Sequence, residues 1–93
     1  MKRRTKLMEA YISLTGNYGI DSVSTLLLKE ELELILDHDI TPAQFYEILI
    51  ENTKAYHIYL LKYNPDTHFN YLVLNNQRVG EIGIELREGS PYS

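Results

Sequence analysis

Between Glu30 and Glu51 the chain places seven carboxylates and no lysine or arginine. They are Glu30, Glu31, Glu33, Asp37, Asp39, Glu47 and Glu51. Carboxylates this dense could serve three chemistries: an acid–base pair, a cation site, or a surface for a positively charged partner. Acid–base work needs a pocket that drives two pKa values apart. Glu30, Glu31 and Glu33 read instead as a solvated helical face. A metal site needs three or four converging ligands. Asp37-His38-Asp39 has suitable residue types, but neighbours at a helix end point apart. Asp37 and Asp39 also lack the glycine that a calcium loop requires at its sixth position. His57 and His68 fall far from and beside the turn of one predicted hairpin, so they are not expected to meet. No serine stands in a nucleophile elbow, and no glycine-rich phosphate loop is present. We therefore expect no enzyme, no metal and no cofactor, which leaves the charged surface.

The charge is unevenly spread. The formal net charge is −4, yet Lys2, Arg3, Arg4 and Lys6 put +4 into the first six residues. The remaining chain holds five basic and thirteen acidic groups, a sum of −8. A basic arm over residues 1–5 thus precedes a strongly acidic body. Such a body repels nucleic acid and anionic lipid and favours basic or apolar protein surfaces. With 93 residues, 44% hydrophobic and 24% charged, the composition is that of one ordinary globular domain. There is no cysteine, hence no disulfide framework and no thiolate metal site. No apolar run of signal-peptide length follows the basic start. No stretch approaches the roughly 20 apolar residues of a membrane helix. A cytoplasmic protein without membrane association is the expectation.

The elements that must position the carboxylates follow from periodicity. Leu7, Met8, Tyr11, Ile12 and Leu14 recur at helical spacing, predicting a first helix over about 5–14 that Gly16 and Asn17 stop. A second helix is expected from an Asp21 or Ser22 cap to about Asp37. Its apolar residues exceed one stripe, which predicts burial on two sides or a contact with a second copy. A competing reading makes residues 22–28 a strand. The third helix has Thr41 as N-cap, Pro42 at the first helical position, Gln44 completing a capping box and an Ile40–Phe45 staple. Phe45, Ile48 and Leu49 should face the core, while Gln44, Glu47, Glu51 and Lys54 face water. Three strands follow, over Tyr56–Tyr63, Phe69–Leu74 and Val79–Arg87. Asn64-Pro65-Asp66-Thr67 and Asn75-Asn76 make the turns between them. Gly80 and Gly83 mark a bulge or a close backbone approach. Residues 88–93 read as a tail. The expected fold is α+β: three N-terminal helices, then a three-stranded antiparallel meander, in winged-helix-like order.

The tight corner between the second and third helices has the outline of a helix-turn-helix. Used on DNA, it would offer Gln44 and Asn52 to base edges, with Lys54 and the arm residues Lys2, Arg3, Arg4 and Lys6 on phosphate. Glu47 and Glu51 on the same face oppose that use. Tyrosine is the other excess, eight against two phenylalanines and no tryptophan. Tyr59 and Tyr63 should share one strand face and could anchor a partner. The sequence thus predicts a non-enzymatic interaction module, a regulator or inhibitor of the phage or mobile-element type. Glu30, Glu33, Asp37, Glu47 and Glu51 would meet another protein's basic surface, with Tyr59 and Tyr63 beside them. A homodimer through the second helix or an open sheet edge is a further expectation. The alternative is a dimeric winged-helix DNA-binding regulator.

Overall fold

Thr5 opens the first helix by accepting the Met8 amide on its hydroxyl at 3.2 Å. The helix, α1 (Lys6–Thr15), ends at Gly16, whose φ of 76° few other residues adopt without strain. The structure is a computed structural model and describes residues 4–16 and 22–87. The next element corrects the expected order. Val23–Ser24 form a short strand, β1, and only then does α2 (Thr25–Leu36) begin, capped by Ser24. The two competing readings of residues 22–28 are thus each correct for part of the segment. A two-residue strand has no alternation to read. Its pairing depends on partners nearly sixty residues away in sequence, Val23 with Ile82 and Ser24 with Glu81.

Asp37 closes α2 in the left-handed region, φ 64°. Five residues later α3 (Pro42–Asn52) starts with the capping box that its sequence predicts. The Thr41 hydroxyl accepts the Gln44 amide at 3.1 Å, and Gln44 Oε1 accepts the Thr41 amide at 2.8 Å. Both staple residues, Ile40 and Phe45, are buried.

The sheet has four antiparallel strands in place of the expected three: β1, β2 (Tyr56–Lys62), β3 (Leu72–Leu74) and β4 (Gln77–Leu86). Nor is it a meander, because β4 is central. On one side it pairs β2, from Tyr56 opposite Leu86 to Lys62 opposite Val79. On the other it pairs β3 near its start and β1 further along. Asn75 and Asn76 link β3 to β4 with φ of 50° and 65°, the mirror-image turn that suits strand twist.

Alternation along the strands separates two faces. Tyr56, Ile82 and Ile84 are buried, joining Leu28, Leu32, Phe45, Leu49, Met8 and Tyr11 in one core beneath the helices. His57, Tyr59 and Leu61 point the other way and are exposed. The register slips by one residue between Leu61 and Lys62, and Gly80 is the extra residue on β4. Past this bulge the chain leaves the strand. Tyr63 follows the last residue of β2, and its amide still donates to the Arg78 carbonyl of β4. Its ring packs on Tyr71, with centroids 4.5 Å apart.

The loop after β2 is folded back and fixed. Asn64 accepts the Asp66 amide on its side chain and the Thr67 and His68 amides on its carbonyl. His68 Nδ1 accepts the Asn64 amide at 2.9 Å, which leaves Nε2 as the protonated nitrogen, 2.7 Å from Glu81 Oε2. The ring lies against Gly80, where an added Cβ would stand 2.3 Å from Nδ1. The ring is held at both nitrogens and cannot swing aside cheaply. We expect Gly80→Ala to destabilise the fold by ~1–3 kcal/mol through overpacking. In a His68→Ala background most of that loss should disappear. Urea titration of the two single variants and the double variant measures the coupling.

Candidate interaction face on α2 and α3

The corner between α2 and α3 is set by one carboxylate. Glu33 Oε2 accepts the Ile40 amide and the Lys29 ammonium, each at 2.9 Å. Its side chain is 15% exposed and that of Lys29 13%. These partners, the Ile40 amide foremost and then Lys29, hold the Glu33 carboxyl below the ordinary carboxylate value. Sequence reasoning grouped Glu33 with the partner-facing acids. In the structure its charge is spent inside the molecule, because the turn at Asp37 brings the Ile40 amide back over the last turn of α2.

The other acids of the segment remain outward. Glu30, Asp37, Asp39 and Glu47 are exposed and make no ion pair among the described residues. Glu51 approaches Lys54 only to 3.9 Å, with both side chains in water. Such a pair is worth little and leaves Glu51 available. The acids border two adjoining depressions. Leu34, which is 76% exposed, lines one of them together with Glu30, Glu33, Asp37, His38 and Asp39. A groove of about 390 Å³ runs between the end of α2 and α3, lined by Leu36, His38, Gln44, Glu47, Glu51 and Asn52 among others. On the outer side of α3, Ile50 is exposed beside Glu47, Glu51 and Lys54.

Asn52 differs from its expected role. It is only 8% exposed, and its Nδ2 donates to the Ile48 carbonyl at 2.7 Å. The last turn of α3 rotates it inward, so it cannot reach a base edge. Its buried Oδ1 has no hydrogen-bond donor among the described residues. Gln44 is likewise engaged, in the capping box. Lys6 pairs with Glu9 at 3.7 Å on α1, Arg4 is exposed, and Lys2 and Arg3 lie outside the described residues. The residues proposed for reading DNA are therefore not assembled on one surface. Tyr59 and Tyr63 are apart from the acidic face as well. Tyr59 stands on the outer sheet face, its ring over Gly83 and its hydroxyl 3.4 Å from Glu85.

Leu34 and Ile50 are the residues that sequence reasoning did not single out as contacts. The signal was the excess of apolar residues on α2. The helix buries one stripe, Leu28 and Leu32, and leaves Leu27 and Leu34 in water, seven residues apart on the opposite face. No group of three or more histidine, aspartate or glutamate side chains is arranged for a metal among the described residues. Nor is any helix there long and apolar enough to cross a membrane. Comparison with protein-family models, curated proteins and solved structures finds no match to this chain.

The depressed Glu33 carboxyl has a defined effect on stability. A group whose folded value lies below its unfolded value stabilises the fold fully above the unfolded value, near 4.5 for glutamate. That contribution is lost as pH falls through the lower folded value. Glu33→Gln should therefore be less stable than wild type at neutral pH, and the gap should close in acid below pH 4.5. Chemical denaturation of both proteins across that range checks the sign.

Proposed function

We propose that this protein is a non-enzymatic binding module whose α2–α3 face captures a basic surface of another protein. The observation that carries the reading is Leu34, exposed in the same depression as Glu30, Asp37 and Asp39. An exposed apolar side chain beside unpaired like charges suits a partner of opposite charge that covers both. The adjoining groove supports the same reading. It offers Glu47 and Glu51 among its lining residues. A lysine or arginine side chain supplies the donors and charge that this set lacks. Acting so, the protein would serve as a regulator or inhibitor by covering a surface that otherwise meets nucleic acid. A cytoplasmic setting suits that role.

A second reading has one observation in its favour. Strand β1 stands between α1 and α2 and joins β4, so the helical corner is tied to the hairpin that follows it. That arrangement suits a winged-helix DNA-binding regulator, by fold-level analogy alone. Glu47 and Glu51 on the outer face of α3 weigh against it, since both would lie beside phosphate.

The two readings separate in one experiment. An arginine-rich peptide and a DNA duplex are titrated into the protein over a salt series. Under our reading the peptide binds and the duplex does not. Glu47→Lys combined with Glu51→Lys should weaken peptide binding by roughly tenfold or more, from two lost pairs and added repulsion. Leu34→Asp should weaken it too. All three substitutions are at exposed positions, so melting temperatures should hardly change. Duplex binding that falls steeply with salt, with no peptide binding, would favour the regulator instead.

A further inference from the structure

The two edges of the sheet are treated differently. On one side β4 is flanked by β1, of two residues, and β3, of three. Short edge strands are a usual safeguard against unwanted pairing. The other edge is β2, seven residues long, with no proline and no lysine, arginine or carboxylate before Lys62. No described strand lies beyond it.

The direction of its backbone groups follows from the hydrogen bonds at its ends. The Tyr63 amide donates to the Arg78 carbonyl at 2.9 Å, and the Ala55 carbonyl accepts the Arg87 amide at 3.3 Å. Both residues are odd-numbered, and directions alternate along a strand, so residues 55, 57, 59, 61 and 63 face β4. The bulge is on β4 and does not disturb this alternation in β2. The amides and carbonyls of Ile58 and Leu60 therefore face outward, away from the sheet.

We propose that this edge pairs with β2 of a second copy, antiparallel about a two-fold axis at Tyr59, so that two sheets become one. The register is self-complementary. Ile58 stands opposite Leu60 twice, on the core-facing side. On the outer side His57 stands opposite Leu61, and Tyr59 opposite its own counterpart. An isologous contact requires this match of a surface with itself. Charge also selects it. The chain carries thirteen acidic against nine basic residues, so most surfaces of two copies repel. β2 contains no carboxylate, and its one charge, Lys62, falls opposite Tyr56 at the strand end. The outward backbone groups of Ile58 and Leu60 would then gain partners that match them in spacing and direction. This inference does not rest on the α2–α3 reading, which concerns other residues.

Light scattering of the wild-type protein up to about 1 mM should reveal a dimer. Tyr59→Lys sets two ammonium groups face to face at the axis and should raise the dissociation constant by about tenfold or more. Tyr59→Glu should do the same. An equimolar mixture of the two variants should dimerise again, because each pair then joins opposite charges. Hydrogen exchange on the wild type gives a readout that does not depend on how the variants fold. The Ile58 and Leu60 amides should become protected as concentration rises, while the Tyr59 and Leu61 amides are protected throughout. A protein that stays monomeric would overturn the proposal. So would a dimer indifferent to charge at residue 59, no recovery in the mixture, or Ile58 and Leu60 protection that is independent of concentration, the sign of cover by the same chain.

Discussion

Glu33 accepts two hydrogen bonds on one oxygen, from the Lys29 ammonium and the Ile40 amide, and the shape of the helical layer depends on that clamp. The Ile40 amide precedes α3 and has no intrahelical acceptor of its own. With Glu33 beneath it, the chain can turn at Asp37, drop Ile40 into the core and start α3 from Thr41. Lys29 supplies the balancing charge that lets a carboxylate sit at low exposure. One acid is thereby consumed in holding the corner, and the corner in turn sets where the remaining acids stand. Glu30, Asp37 and Asp39 are displayed from the end of α2, and Glu47 and Glu51 from α3.

The sheet has an equivalent centre in β4, the strand on which β1, β2 and β3 all pair. Its two glycines allow opposite kinds of close approach. At Gly80 the His68 ring occupies the space of a side chain, and through Glu81 and Ser22 it ties the long loop to the stretch before β1. At Gly83 the Tyr59 ring covers the bare backbone from the neighbouring strand. Neither glycine adopts a positive φ; space alone excludes a side chain at Gly80, whereas at Gly83 an added Cβ would meet the Tyr59 ring at an ordinary 3.7 Å. The loop so fixed presents Phe69 fully to solvent and leaves Tyr71 beneath the Arg78 guanidinium.

Helical layer and sheet thus offer chemically distinct surfaces. The helices carry the unpaired acids and exposed aliphatic residues, Leu34 and Ile50 among them. The outer sheet face carries the aromatic residues, and its β2 edge carries outward backbone groups without a carboxylate among their side chains. A basic partner and a second copy would therefore use different parts of the molecule.

Local chemistry was enough to define much of this protein. The Thr41–Pro42–Gln44 signature fixed the start of α3, Gly16 fixed the end of α1, and Asn75-Asn76 fixed the hairpin, because each acts within four residues of itself. The class, α+β with helices before most of the sheet, followed from the change in period after Lys54. The density of carboxylates and the wealth of tyrosines could be counted directly. What could not be read were outcomes set by partners distant along the chain. Val23–Ser24 is a strand because Ile82 and Glu81 lie beside it. Glu33 is a clamp and Glu47 a surface charge, although the two look alike in sequence, because only one lies under the returning Ile40 amide. Asn52 turned inward because the end of its helix rotated it. Residue type and spacing fix how each segment folds, but which face reaches water is decided when the segments pack.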